Sequence, residues 1–111
     1  MTAFVLMSDL HREVSLFSPP PSVQKADVVV LAGDIDVGLK GVEWAALLGK
    51  PVVYVPGNHE YKGHDVLDLD LQFRAFELEH PHVHILQERQ VIIEGVRFLG
   101  CTLWTDFEFS G

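Results

Sequence analysis

Three short groups of polar residues carry whatever chemistry this chain performs: Asp9-Leu10-His11, Gly33-Asp34 and Gly57-Asn58-His59-Glu60. Between them they offer three carboxylates, two imidazoles and one amide oxygen. Hard oxygen donors mixed with imidazole nitrogen form a metal-binding set, better suited to Mn, Fe or Zn than to Ca or Mg alone. Asp9 and His11 can both turn toward one ion if the chain bends there. Asp34 has two oxygens and can bridge a pair of cations, and Asn58 offers a neutral carbonyl oxygen. Two cations ~3.5–4 Å apart lower the pKa of a water between them and support in-line attack on phosphorus. His59 stands beside Asn58, where its imidazole can give a proton to a departing oxygen or stabilise charge on a phosphoryl group.

The positioning elements are legible in the apolar runs that precede each group. Phe4-Val5-Leu6-Met7, Val28-Val29-Val30-Leu31 and Val52-Val53-Tyr54-Val55 read as three short buried strands, within 3–8, 27–32 and 52–55. Each delivers its polar group from its C-terminal end, which describes a site on the rim of a sheet. Any one group could be an ordinary turn, but three in this order, each after an apolar strand, are not a coincidence. Between the strands, residues 12–26 with Pro19-Pro20-Pro21-Ser22 read as a surface loop. A helix is expected over 40–48, closed by Gly49 and Pro51. A second is expected over 65–79, from the stripe Val66, Leu69, Phe73, Phe76. Short β runs follow at 83–87, 90–94 and 96–104, with Glu94-Gly95 as a tight turn. The order β, β-α, β-α, β-β-β predicts a layered α/β fold with a mixed sheet, flanked by helices.

Composition bounds the rest. A chain of 111 residues holds one domain at most. The formal charge of −8 argues against broad binding to nucleic acid or to an anionic membrane. Cys101 is the single cysteine, so no intrachain disulfide can form, and a cytoplasmic location is expected. No basic n-region precedes the first apolar run, and no stretch reaches the ~18 apolar residues that span a bilayer.

The three groups resemble the first three motifs of the calcineurin-like metallophosphoesterase superfamily. Ala26-Asp27 through Leu31-Ala32-Gly33-Asp34-Ile35, Tyr54-Val55-Pro56 before the third motif, and Phe98-Leu99-Gly100-Cys101-Thr102-Leu103-Trp104 strengthen the likeness, which runs along nearly all of the chain. The resemblance implies a metallophosphoesterase-type sandwich and hydrolysis of a phosphoester at a dinuclear centre of two divalent ions, with Mn preferred and Fe or Zn as alternatives. It assigns Asp9 and His11 to the first metal, Asp34 to both, Asn58 to the second, and His59 to catalysis; Glu60 fits as a structural residue.

The chain also departs from the family pattern. Members supply further histidines from later segments, typically an isolated His and then Gly-His-x-His, and no Gly-His-x-His occurs here. Gly63-His64 comes too early, and His80, His82 and His84 lie where the family has ordinary polar residues. The expectation is that residues 1–111 form the N-terminal portion of a single domain of this family, truncated. The isolated chain would then bind metal incompletely, and it would self-associate through exposed sheet surface. The expected partner is a phosphoester substrate; nucleic acid fits as substrate rather than as structural partner, and no membrane is expected. Another reading keeps the fold as a non-catalytic metal-binding or protein-interaction scaffold. Asp36 stays unassigned, Tyr61 and Lys62 are candidates for the pocket border or for exposed loop, and Trp104 reads as core.

Overall fold

In the computed structural model, residues 3–8, 10, 12, 22–93 and 95–100 are described. Four strands, β1 (Phe4–Met7), β2 (Val28–Ala32), β3 (Val52–Val55) and β4 (Val83–Ile85), form one parallel sheet in sequential order. Three helices intervene: α1 (Ser22–Lys25), α2 (Lys40–Ala46) and α3 (Val66–Glu79). β5 (Arg89–Ile93) and β6 (Val96–Gly100) form a separate antiparallel pair. Parallel and antiparallel strands are thus both present in the expected layered α/β arrangement, sorted into two sheets.

Sequential order with right-handed crossovers places every connecting helix on the same face of a parallel sheet. Strand alternation then assigns side chains to the two faces. Val29, Leu31, Val52, Tyr54, Val83 and Ile85 share a buried cluster with Val42 and Ala45 of α2 and Leu69 and Phe73 of α3. Val28 and Val53, with Val30 and Val55 beside them, face the other way and pack with Leu86 and with Val91, Ile93 and Phe98 of the hairpin. Both faces of β2 and β3 are therefore covered, which explains why these strands read as continuous apolar runs.

The elements differ from the sequence expectations mainly at their ends. Ser22–Lys25 is a turn of helix within the stretch read as loop; Val23 is buried there, and prolines that precede a helix do not oppose it. α2 stops at Ala46, short of 48. β4 ends at Ile85, and the last β run is described only to Gly100. α3 starts after Asp65, whose carboxylate accepts the Asp68 N–H at 3.0 Å, a side-chain N-cap. Of its expected stripe, Leu69 and Phe73 are buried, Phe76 is half-buried, and Val66 is exposed. Leu67, Leu71 and Leu78 are exposed on the same helix. Ile93 and Val96 pair across residues 94–95, and Gly95 has φ +75, as the tight turn requires. No described helix is long and apolar enough to cross a membrane. Cys101 and Trp104 lie outside the described residues.

Candidate metal centre

The parallel register fixes a common rim. Met7 is level with Leu31, and Leu31 with Tyr54. The chain leaves β1, β2 and β3 at one edge, and each of the three polar groups begins within a few residues of it. Asp9 and His11 lie outside the described residues, so the geometry below concerns the second and third groups.

Those two groups interlock. Asp34 has φ +55, an unusual left-handed conformation for a residue with a side chain. Two contacts hold it there. Its N–H donates to Oε1 of Glu60 at 2.9 Å, and its Oδ1 accepts the N–H of His59 at 3.0 Å. The close approach requires a glycine opposite: a Cβ on Gly57 would collide with Asp34 Oδ1 and come within 2.6 Å of its backbone nitrogen. Oδ2 of Asp34 has no hydrogen-bond partner among the described residues. Asn58 opens a 3₁₀ turn, Asn58–Tyr61, directly after Gly57 and half-buried at the same rim.

Glu60 is the hub of the arrangement. Fully buried, it accepts five hydrogen bonds. Oε1 receives the N–H groups of Gly57 at 2.7 Å and Asp34. Oε2 receives those of Ile35 at 2.8 Å and Asp36 at 3.1 Å, and the Tyr54 hydroxyl at 2.8 Å. A buried carboxylate needs such donors, since it forfeits hydration. Burial pushes the Glu60 carboxyl above its ordinary value, while Asp36, Tyr54, Gly57 and Ile35 pull it back in part. The effect on structure is to bind the loop after β2 to the turn after β3. Gly41 of α2 leaves the space in which the Tyr54 hydroxyl lies; a Cβ there would overlap it.

Tyr54 carries a consequence for pH. Its phenol is held well above its ordinary value, first by burial and then by the Glu60 charge. Its contribution to stability is therefore complete below the unfolded value of about 10 and lost as pH climbs through the raised folded value. In a tyrosinate absorbance titration, one component is expected to appear late, together with unfolding, and Tyr54→Phe should remove it. Ionisation of Tyr54 near pH 10 with unchanged circular dichroism would contradict this.

The remaining candidates sort clearly. Tyr61 is buried, not a pocket border; its hydroxyl donates to Asp70 at 2.5 Å and accepts from Gln87 at 2.7 Å, and its ring packs edge-on to Phe73. Lys62 is exposed. His80 and His82 precede β4 and so stand at the opposite rim. A ring nitrogen of His80 bonds the Phe76 carbonyl at 3.2 Å, and one of His82 the Ala46 carbonyl at 3.0 Å. His84 is within β4, level with Val53. His64 stands against Gly38. Among the described residues, no three His, Cys, Asp or Glu side chains come together as a metal cluster. A hollow of about 500 Å3 runs between α3 and the hairpin, lined by Leu67, Asp70, Leu71, Arg74, Gln87 and Arg89; neither Asp34 nor Asn58 is among these residues.

Over residues 3–99 the sequence matches the calcineurin-like phosphoesterase family. The chain belongs to that family. No individual curated protein matches it. Calcineurin-like phosphoesterases are metal-dependent, and the residues present suit a divalent ion. Asp34 is fixed through Oδ1, and Asn58 adds an amide oxygen at the same rim. Sequence reasoning anticipated Glu60 as structural in this family setting. It did not anticipate Tyr54 as its partner, although a single hydroxyl within an otherwise apolar strand is the signal. It also passed over Arg12, which pairs with Asp36.

Proposed function

We propose that this calcineurin-like phosphoesterase segment hydrolyses a phosphoester at a dinuclear centre. Asp9 and His11 would hold the first ion, Asp34 would serve both, Asn58 would hold the second, and His59 would meet the substrate. The observation that carries the reading is the Asp34–His59 contact: the bridging acid and the catalytic turn are fixed to each other at 3.0 Å. When bound, two divalent ions, with Mn preferred, supply charge stabilisation on the phosphoryl oxygens and lower the pKa of a water. The protein's part is to fix the Asp34 carboxylate through Gly57 and Glu60 and to aim the imidazole. Monoesters, diesters, nucleotides and phosphoproteins all fit this chemistry. The single cysteine, Cys101, supports a cytoplasmic location as part of this proposal.

These four ligands give the second ion only Asp34 and Asn58, fewer than the three protein ligands usual at a catalytic centre. The 111-residue protein is therefore expected to bind one Mn2+ weakly and to turn over an aryl phosphate very slowly. Exposed Phe4, Leu6, Ile92 and Leu99 on the two sheets also favour self-association. Free Mn2+ measured by electron paramagnetic resonance, an aryl phosphate assay and light scattering test the three statements. Asp34→Ala should abolish the binding. Two tightly held ions with brisk turnover would show that His64 or His84 supplies ligands. Mn2+ binding indifferent to Asp34→Ala would sink the assignment.

A further inference from the structure

Arg12 follows His11 directly, and Asp36 stands two residues beyond Asp34. The structure joins them across 24 residues of sequence. The N–H of Arg12 donates to the Ile35 carbonyl at 2.8 Å. Nη1 of its guanidinium lies 3.4 Å from Oδ2 of Asp36. The centre of the guanidinium sits 5.0 Å from the ring centroid of Trp44 on α2. Asp36 is itself fixed: it is buried, its Oδ1 accepts the Val37 N–H at 2.7 Å, and its own N–H reaches Glu60. The pair is largely withdrawn from solvent, with side-chain exposures of 18% and 6%. Arg12 Nε is buried too and has no partner among the described residues. A guanidinium covered on one face by an indole and held at one edge by a buried carboxylate is not presented as a fork for a substrate phosphate. Its geometry is that of a clamp between segments.

We propose that Arg12 is a positioning residue for the metal centre: held by Asp36 and Trp44, it fixes the segment carrying Asp9 and His11 against the segment carrying Asp34. The inference rests on the functional reading above. The network it completes runs from Arg12 through Asp36 to Glu60, and from Glu60 to Gly57 and Asp34, so Arg12 is tied to the loops after β2 and β3. Groups that orient metal ligands without touching the ion typically change affinity by ~10–100-fold when removed.

The test measures Mn2+ affinity of the 111-residue chain by electron paramagnetic resonance, with circular dichroism to verify the fold. Arg12→Met and Asp36→Asn are each expected to weaken binding by about tenfold or more. The double variant should be little worse than either single one, because both remove the same link. Arg12→Lys, which keeps the charge opposite Asp36, should recover part of the loss, which a purely space-filling role would not predict. Asp36→Asn retains the oxygen that accepts from Val37 and serves if Arg12→Met does not fold. The proposal is overturned if Asp34→Ala abolishes binding while folded Arg12→Met or Asp36→Asn binds within twofold of wild type. Loss of fold in both variants also counts against it, since Arg12 would then act in folding itself. A wild-type chain that ignores Mn2+, or binds it regardless of Asp34→Ala, defeats the metal reading first and this one with it.

Discussion

Glu60→Gln is expected to destabilise the protein by roughly 3–5 kcal/mol at neutral pH, although it changes one atom. The reason is the count of donors around the carboxylate. Oε1 faces two N–H groups, from Gly57 and Asp34, and Oε2 faces two N–H groups and the Tyr54 hydroxyl. A glutamine has one acceptor oxygen and one NH2. Placed at Oε1, the NH2 opposes the Gly57 and Asp34 donors; placed at Oε2, it opposes those of Ile35 and Asp36, while the Tyr54 hydroxyl can turn to accept from it. In either rotamer at least two buried donors lose their acceptor and meet another donor, at about 1–3 kcal/mol each. Urea denaturation at pH 7 measures the loss. Tyr54→Phe, which removes one donor and leaves the acceptor otherwise satisfied, should cost far less. A Glu60→Gln variant within about 1 kcal/mol of wild type would mean that the loops after β2 and β3 are held by something other than this carboxylate.

The same cluster shows which parts of the molecule were legible in the sequence. The strands of the parallel sheet were, because β2 and β3 are buried on both faces and announce themselves as unbroken β-branched runs. So was the shared rim, since polar residues directly after such a strand have nowhere else to go. Leu69 and Phe73 were marked as core by helical spacing, but Val66 was not distinguishable from them. It is the first residue of α3 and is exposed. The turn at Ser22–Lys25 was hidden by Pro19-Pro20-Pro21: the prolines forbid a helix interior before them and say nothing about one turn after them. Tyr61 stood open between pocket border and exposed loop because its neighbours are polar, and its contacts with Asp70, Gln87 and Phe73 give it a buried place. Arg12, Asp36 and Trp44 form the least legible feature. No spacing rule connects residues 24 positions apart, and Asp36 alone had no assignment.

Removal of the His59 imidazole should separate catalysis from metal binding more cleanly than any other change at the rim. His59 contributes two things: a ring placed beside Asn58, and a backbone N–H that donates to Oδ1 of Asp34. Alanine deletes the first and keeps the second. The Asp34 carboxylate therefore stays where Gly57 and Glu60 fix it, and the 3₁₀ turn retains its Glu60 anchor to Gly57. In any form of this protein with measurable phosphoester turnover, His59→Ala is expected to lower kcat by ~10²–10⁴, the range for loss of a positioned general acid. Bound metal, measured by elemental analysis after dialysis, should stay close to the wild-type value. An activated aryl ester, whose leaving group needs no proton, should be much less affected than an alkyl ester. That contrast assigns the imidazole to the departing oxygen rather than to charge on the phosphoryl group. Metal lost in step with activity would instead make His59 a ligand, and equal losses on both esters would move its role to the phosphoryl oxygens.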